Sequence, residues 1–156
     1  MTQTGAKYLV SPRPVVRYCA LLALVCVLTA CSKPEPIKIG FVAGLTGRVA
    51  DLGTSSLNGA VLAVEQCNAA GGVAGRPVEL IVRDDGQNSG AARQAVKELI
   101  DAKVEAIVGH VTSSMSMASI TQANEAKLVM ISPTVTTAEL SGKDDYFFRV
   151  LNATRD

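Results

Sequence analysis

The sequence has few aromatic residues and almost no excess charge. Of its 156 residues, 4% are aromatic and none is tryptophan, and 15 Lys and Arg residues face 14 Asp and Glu residues for a net charge of +1. Runs of like charge are no longer than pairs such as Asp84-Asp85 and Asp144-Asp145. Binding to a nucleic-acid backbone requires clustered cations. We therefore expect no nucleic-acid partner.

Cysteine and histidine are also scarce. Of the 4 cysteines, Cys19, Cys26 and Cys31 lie close to the amino terminus, which leaves Cys67 alone, and His110 is the one histidine. A lone thiol has no disulfide partner, and these residues fall short of the ligand set of a structural metal site. We expect no disulfide and no metal site.

The amino-terminal region has the pattern of an export signal. Three cations within residues 7–17 precede an uncharged stretch at 19–30, which ends in Leu28-Thr29-Ala30-Cys31. A short apolar stretch followed by small residues indicates a cleaved signal, and a cysteine just after the cleavage point can be acylated. The pattern predicts a lipoprotein signal peptide at 1–30 with Cys31 lipidated. The alternative is an ordinary signal peptide followed by an incidental cysteine.

The predicted mature chain would begin with a tether. Residues 31–36 are polar and contain Pro34 and Pro36, and the folded region is predicted at 37–156. No cationic cluster remains after residue 30, so attachment to a membrane would depend on the acyl chains. We expect an exported protein that is held on the periplasmic or cell-surface side of a membrane through Cys31.

Aliphatic segments alternate with helical patterns along the folded region. Helices are predicted to begin at 54–56, at Ser89 and at Ser113 or Ser114, where hydroxyl residues precede apolar positions at helical spacing. Continuous aliphatic strands that alternate with helices indicate a parallel sheet. The predicted fold is α/β, a doubly wound parallel sheet with helices on both faces. Its strands are predicted at 37–42, 78–82, 104–108, 128–131 and 146–150.

Ligands of doubly wound sheets bind beyond the carboxyl ends of the strands. The corresponding loops are predicted at 43–54, 84–89, 109–114 and 132–138. In the third loop, Ser113 and Ser114 place hydroxyls and free amides at a helix amino terminus, which suits a carboxylate. Ser113 is the leading candidate for that contact. We expect both serines to cap the helix as well, and the alternative is that they only cap it.

Two kinds of chemistry receive little support. The glycines of the first loop match neither a dinucleotide fingerprint nor a phosphate-binding P-loop, so no nucleotide cofactor is expected. A hydrolase would combine His110 with Ser113 and Asp84, but the nucleophile elbow Gly-x-Ser-x-Gly is missing. We expect no catalytic residues.

The order of motifs resembles the type I periplasmic binding proteins, in particular their leucine/isoleucine/valine-binding branch. The resemblance covers nearly all of residues 38–149. It rests on Gly59-Ala60, Asn68-Ala69-Ala70-Gly71-Gly72, Gly75-Arg76, Asp84-Asp85, Gly109-His110 with Ser113, and Ser132-Pro133 with Thr136 and Glu139-Leu140. By this resemblance, the chain corresponds to the amino-terminal lobe of a two-lobed fold and ends where the second lobe would start.

The resemblance also implies a ligand set. Ser113 would hold the α-carboxylate of an amino acid, while the Thr134 carbonyl and the Thr136 hydroxyl would meet the α-ammonium and the carboxylate. Leu52 stands where branched-chain binders often have an aromatic residue. Some members pair cysteines at the positions that Gln87 and Thr112 occupy here.

The implied function is that of a lipid-anchored solute-binding component of an ABC importer. It would capture a branched-chain amino acid or a similar small solute and deliver it to the permease of the importer. The alternative is a sensing or regulatory lobe of the same fold that acts on a partner protein, because a fold alone does not determine a function.

Overall fold

The computed structural model describes residues 34–154, so the predicted signal peptide and Cys31 lie outside the described residues. Short segments rich in aliphatic or aromatic residues form the strands. They are β1 (Ile37–Ala43), β2 (Val78–Asp84), β3 (Ala106–Gly109), β4 (Val129–Ser132) and β5 (Phe147–Arg149). The helices are α1 (Ala50–Ala69), α2 (Ser89–Asp101) and α3 (Ser113–Glu125), with a short 3₁₀ turn at Ala138–Leu140.

The five strands form one parallel sheet in the order β2-β1-β3-β4-β5. Phe41 in β1 pairs with Val82 on one side and with Val108 on the other. The strand order reverses direction between β1 and β3, and ligands bind near such a switch point in open α/β sheets. The structure confirms the predicted parallel sheet.

Alternate residues of β1 face opposite sides of the sheet. Val42 packs in a cluster with α2 and α3, where Val96, Leu99 and Ile107 are completely buried. Phe41 packs in a second cluster on the other face, against α1 residues such as Leu57. Helices therefore cover both faces, which confirms the doubly wound arrangement.

Helix α1 covers only part of its face of the sheet. It contacts β1 and β2, whereas Ile131 in β4 and its register partner Phe148 in β5 remain 37% and 55% exposed. Val61 in α1 is also 38% exposed. An apolar stretch of the sheet is therefore open to solvent near β5.

Helix α1 begins earlier than predicted, and α2 begins at Ser89 as predicted but has a different capping residue. Helix α1 starts at Ala50 after the N-cap Val49, which makes no side-chain cap, so residues 54–56 lie inside the helix. The N-cap of α2 is Asn88, whose side chain accepts hydrogen bonds from the amides of Gly90 and Ala91. Both starts were predicted at hydroxyl residues, but the first is uncapped and the second is capped by an amide side chain.

Candidate functional site

The loops after β1 and β2 are joined through Asp84, the last residue of β2. Its carboxylate accepts hydrogen bonds from the amide of Leu45 at 2.8 Å, the hydroxyl of Thr46 at 2.6 Å and the amide of Gly86 at 2.8 Å. Asp84 is thus a structural link between two loops at the carboxyl edge of the sheet.

The contacts of Asp84 favour its charged form. Partial burial opposes ionisation, but the hydrogen bonds from Thr46 and from the amides of Gly86 and Leu45 outweigh it and hold the pKa of Asp84 below its ordinary value. The carboxylate is therefore fixed in place and engaged with its own protein, which leaves it little capacity to bind a cation.

The loops after β2 and β3 meet through a side-chain contact of Gln87 and through a buried network centred on His110. The side-chain amide of Gln87 lies 3.3 Å from the hydroxyl of Thr112 and also 3.3 Å from Oδ1 of Asp85. Gln87 and Thr112 occupy the two positions at which the resemblance implies paired cysteines, and their side chains lie side by side in the structure. Here the two side chains make a polar contact.

The second contact is a buried network centred on His110. Its Nδ1 lies 2.7 Å from Oδ2 of Asp85, and its Nε2 lies 2.9 Å from the hydroxyl of Ser119 in α3. All three side chains are completely buried. The preceding Gly109 has φ +130°, and a Cβ there would lie 2.0 Å from the carbonyl oxygen of Val42, so only glycine fits before His110.

This network differs from the one that a hydrolase would need. His110 pairs with Asp85 and Ser119, whereas the sequence analysis considered Asp84 and Ser113. A fully buried hydroxyl is closed to substrate. The sequence contained a signal for the contact between Ser119 and His110. Ser119 falls among the buried positions of α3, and a buried polar side chain needs a hydrogen-bond partner.

The loops after β3 and β4 are joined by hydroxyl groups. Ser132 donates to the carbonyl oxygen of His110 at 2.6 Å, and Thr134 donates to the carbonyl oxygen of Val111 at 2.6 Å. The loop that carries Thr134 therefore lies against the loop that leads to Ser113.

Ser113 and Ser114 are the first two residues of α3, and neither is its cap. Thr112 is the N-cap, without a side-chain cap bond, and the first amide to donate back to it is that of Ser116 at 3.1 Å. The amides of Ser113 and Ser114 thus have no partner in the helix. Ser113 is half-buried and Ser114 is exposed. The structure corrects the expectation that these serines cap α3.

Thr136 and Leu52 occupy different parts of this edge. Thr136 is half-buried in the loop after β4, and its carbonyl oxygen accepts from the amide of Thr154 at 3.0 Å. Leu52 lies in the first turn of α1 and is 41% exposed, whereas the sequence analysis placed it in a loop. Ser113, Thr134 and Thr136 therefore belong to the joined loops, and Leu52 to the adjacent helix.

The opposite edge of the sheet carries a cleft of mixed charge. Its lining includes Lys38, Lys103 and Glu105. There Arg76 donates from Nε to the carbonyl oxygen of Glu35 at 2.9 Å and from Nη2 to that of Pro36 at 3.4 Å. This cleft lies at the amino ends of the strands, away from the four loops.

Neither a metal-binding group nor a membrane span is found in the part of the chain that the structure describes. Among residues 34–154, no three His, Cys, Asp or Glu side chains are grouped as a metal ion would require. None of the helices there combines the length and hydrophobicity needed to cross a bilayer. The polar loop edge is the leading candidate site, because ligands of open α/β sheets bind beyond the carboxyl ends of the strands.

Comparisons with known proteins agree with this fold. The family model described as periplasmic binding protein matches residues 36–156. The leucine-, isoleucine-, valine-, threonine- and alanine-binding protein of Pseudomonas aeruginosa is 32% identical over 70% of this chain and 29% of its own length. The Leu/Ile/Val-binding protein of Escherichia coli is 29% identical over 70% of this chain and 30% of its own.

A solved structure shows the same relationship. The branched-chain amino acid transporter substrate-binding protein LivJ of Streptococcus pneumoniae, in complex with isoleucine, superposes with a TM-score of 0.74 and 35% identity. The alignment covers 76% of this chain and 34% of that one. The chain spans about three tenths of the length of the two curated relatives. It belongs to the periplasmic binding protein family.

Proposed function

We propose that this chain supplies one lobe of a solute-binding protein that captures an amino acid of the branched-chain type for an ABC importer. The names of the relatives support both the ligand class and the transport role. Catalysis is not part of the proposal, since these relatives are binding proteins. The protein would select a solute outside the cytoplasm and present it to a permease.

The start of α3 is the observation that carries the proposal. Ser113 and Ser114 offer amides without helical partners, and a helix amino terminus favours negative charge. The Ser113 hydroxyl would complete a seat for the α-carboxylate. A solute with a carboxylate therefore suits this position better than a neutral one.

The neighbouring loop after β4 would bind the rest of the polar group. The Thr134 hydroxyl is held on the carbonyl oxygen of Val111, so the backbone carbonyl of Thr134 is the group that we assign to the α-ammonium. The Thr136 hydroxyl would add a contact to the carboxylate. Leu52 would contribute apolar surface for the solute side chain.

Export and membrane attachment are proposed from the sequence. Relatives in this family are periplasmic, which supports an exported location. Cys31 follows Leu28-Thr29-Ala30, and we assign it as the acylated residue that anchors the mature protein. The acyl chains would supply the affinity for the membrane, because residues 32–36 carry a single lysine.

Isothermal titration calorimetry of the full-length protein, meaning the two-lobed protein in which we propose that this chain supplies one lobe, tests the ligand assignment. We expect L-leucine, L-isoleucine or L-valine to bind. Leucinamide, which lacks the carboxylate, should bind at least tenfold more weakly than leucine, since a charge-assisted hydrogen bond contributes about 1.5–3 kcal/mol. If none of the three amino acids binds, or if leucinamide binds as well as leucine, the assignment is wrong.

A further inference from the structure

His110 bonds to three different elements of the lobe. Its Nδ1 contacts Asp85 in the turn after β2, its Nε2 contacts Ser119 in α3, and its carbonyl oxygen accepts from Ser132 at the end of β4. We infer that His110 is a positioning residue for the solute site, which sets the place of the Ser113 hydroxyl and amides. This inference rests on the proposed function.

The bond to Ser119 fixes α3 relative to the loop before it. Ser119 lies six residues after Ser113 on the same helix, about 9 Å along the helix axis. Its hydroxyl is 2.9 Å from Nε2 of His110 and 3.0 Å from the carbonyl oxygen of Met115. A shift of α3 along its axis would stretch the bond to His110, so this bond holds the amino terminus of α3 in register.

The bond to Asp85 fixes the same loop to the turn after β2. Asp85 is itself held, because its Oδ1 accepts from the amide of Gln87 at 2.9 Å and its amide donates to the carbonyl oxygen of Ala43 at 3.0 Å. The imidazole ring therefore spans a fixed turn on one side and α3 on the other. All three side chains are completely buried, so the bonds of this network are shielded from bulk solvent.

Ser119→Ala tests this role, and Ser116→Ala is its matched control. Both serines are completely buried in α3, but the Ser116 hydroxyl has no hydrogen-bond partner within residues 34–154. We expect Ser119→Ala to weaken L-leucine binding to the full-length protein at least fivefold, and Ser116→Ala to change it less than twofold. Urea unfolding of each variant separates an affinity change from a stability change.

A measurement without solute makes the test independent of the proposed function. Amide hydrogen exchange in the ligand-free protein should accelerate in Ser119→Ala at residues 110–116 and 132–135, and remain unchanged in the carboxyl-terminal half of α1. If wild type binds none of L-leucine, L-isoleucine and L-valine, the proposed function fails, and the exchange pattern alone decides whether His110 positions the loop.

Variants of His110 itself provide a rescue test. An asparagine side chain reaches only the place of Nδ1, and a glutamine side chain only that of Nε2. His110→Asn should therefore weaken binding as Ser119→Ala does, and the double variant should be no weaker than either single one. If Ser119→Ala fails to fold, His110→Gln is compared with His110→Asn instead. His110→Gln should bind L-leucine more tightly, because its side chain reaches the place of Nε2 and keeps the contact to Ser119.

Two results would overturn the inference. One is a Ser119→Ala protein that is less stable but binds L-leucine within twofold of wild type. The other is faster hydrogen exchange spread evenly over all three helices, which would indicate a general loss of stability rather than a local loss of position.

Discussion

The hydroxyl of Ser132 donates to the backbone carbonyl of His110 at 2.6 Å and accepts from the amide of Val135 at 3.2 Å. One completely buried side chain thus satisfies polar groups of two loops. Ser132→Ala would leave both groups without that partner. We expect the free energy of unfolding in urea to fall by about 1–3 kcal/mol.

Ser116→Ala is the control for that substitution, because it removes an equally buried hydroxyl without a hydrogen-bond partner among the described residues. It should change the stability by less than about 0.5 kcal/mol. Equal effects of the two substitutions would show that the Ser132 bonds contribute nothing specific.

Gly53 and Gly59 lie in the same helix but in different surroundings. A Cβ on Gly53 would lie 2.1 Å from the carbonyl oxygen of Gly44, whereas a Cβ on Gly59 would meet nothing within 4 Å. Gly53→Ala should destabilise the fold by about 1–3 kcal/mol because α1 must move away from the first loop. Gly59→Ala should stabilise it by about 0.5–1 kcal/mol. Thermal and urea unfolding check both signs, and a stabilising Gly53→Ala would contradict the packing of α1.

Asp84 should make stability depend on pH in the acid range. Its folded pKa lies below the ordinary value of 3.8, so its contribution is present above that value and is lost as the pH falls through the folded pKa. Wild type and Asp84→Asn should differ in unfolding free energy by less than about 1 kcal/mol, because the carboxylate is exposed. This difference should shrink over that range. Thr46→Val should reduce the same effect. If this difference in unfolding free energy grows as the pH falls, the prediction is wrong.

Ser113→Ala should weaken the affinity for L-leucine by about tenfold to a hundredfold, since it removes one charge-assisted hydrogen bond and leaves the amides of α3 in place. Stability should hardly change, because Ser113 does not cap the helix. Ser114→Ala is the matched control and should have a smaller effect in calorimetry. If both substitutions weaken binding equally, the carboxylate does not lie against the Ser113 hydroxyl.

Cys31→Ser should release the mature protein from membranes, because acylation requires the thiol. Cys67→Ser, on half-buried α1 surface, is the control and should leave the protein in the membrane fraction. Fractionation followed by immunoblotting checks both variants. A Cys31→Ser protein that still sediments with membranes excludes the lipoprotein assignment.

The sheet was predictable because its strands are nearly continuous aliphatic segments. All five predicted strands overlap the observed ones, and the structure confirms their parallel order. The start of α1 was not predictable from capping residues, because Val49 and Ala50 provide no side-chain cap. Its position depends instead on the close contact between Gly53 and Gly44, which brings together residues from a helix and a strand end.

The candidate site was predictable as a set of loops but not as a network. Each loop follows a strand, so the pattern of strands located Ser113 and Thr134. The pairing of His110 with Asp85 and Ser119 joins residues that are 25 and 9 positions apart. A single sequence does not show which polar residues meet in three dimensions, and the sequence analysis considered Asp84, the exposed neighbour of Asp85.

The contact of Arg76 with Glu35 and Pro36 determines where the chain enters the lobe. It fixes the last residues of the tether at the amino end of β1, while the loops of the candidate site lie at the carboxyl end. β1 has 7 residues, so about 23 Å of strand separates the two ends. In a protein acylated at Cys31, as proposed, the anchor would therefore join the lobe at the amino end of β1, and the loops of the candidate site would lie at the other end of that strand.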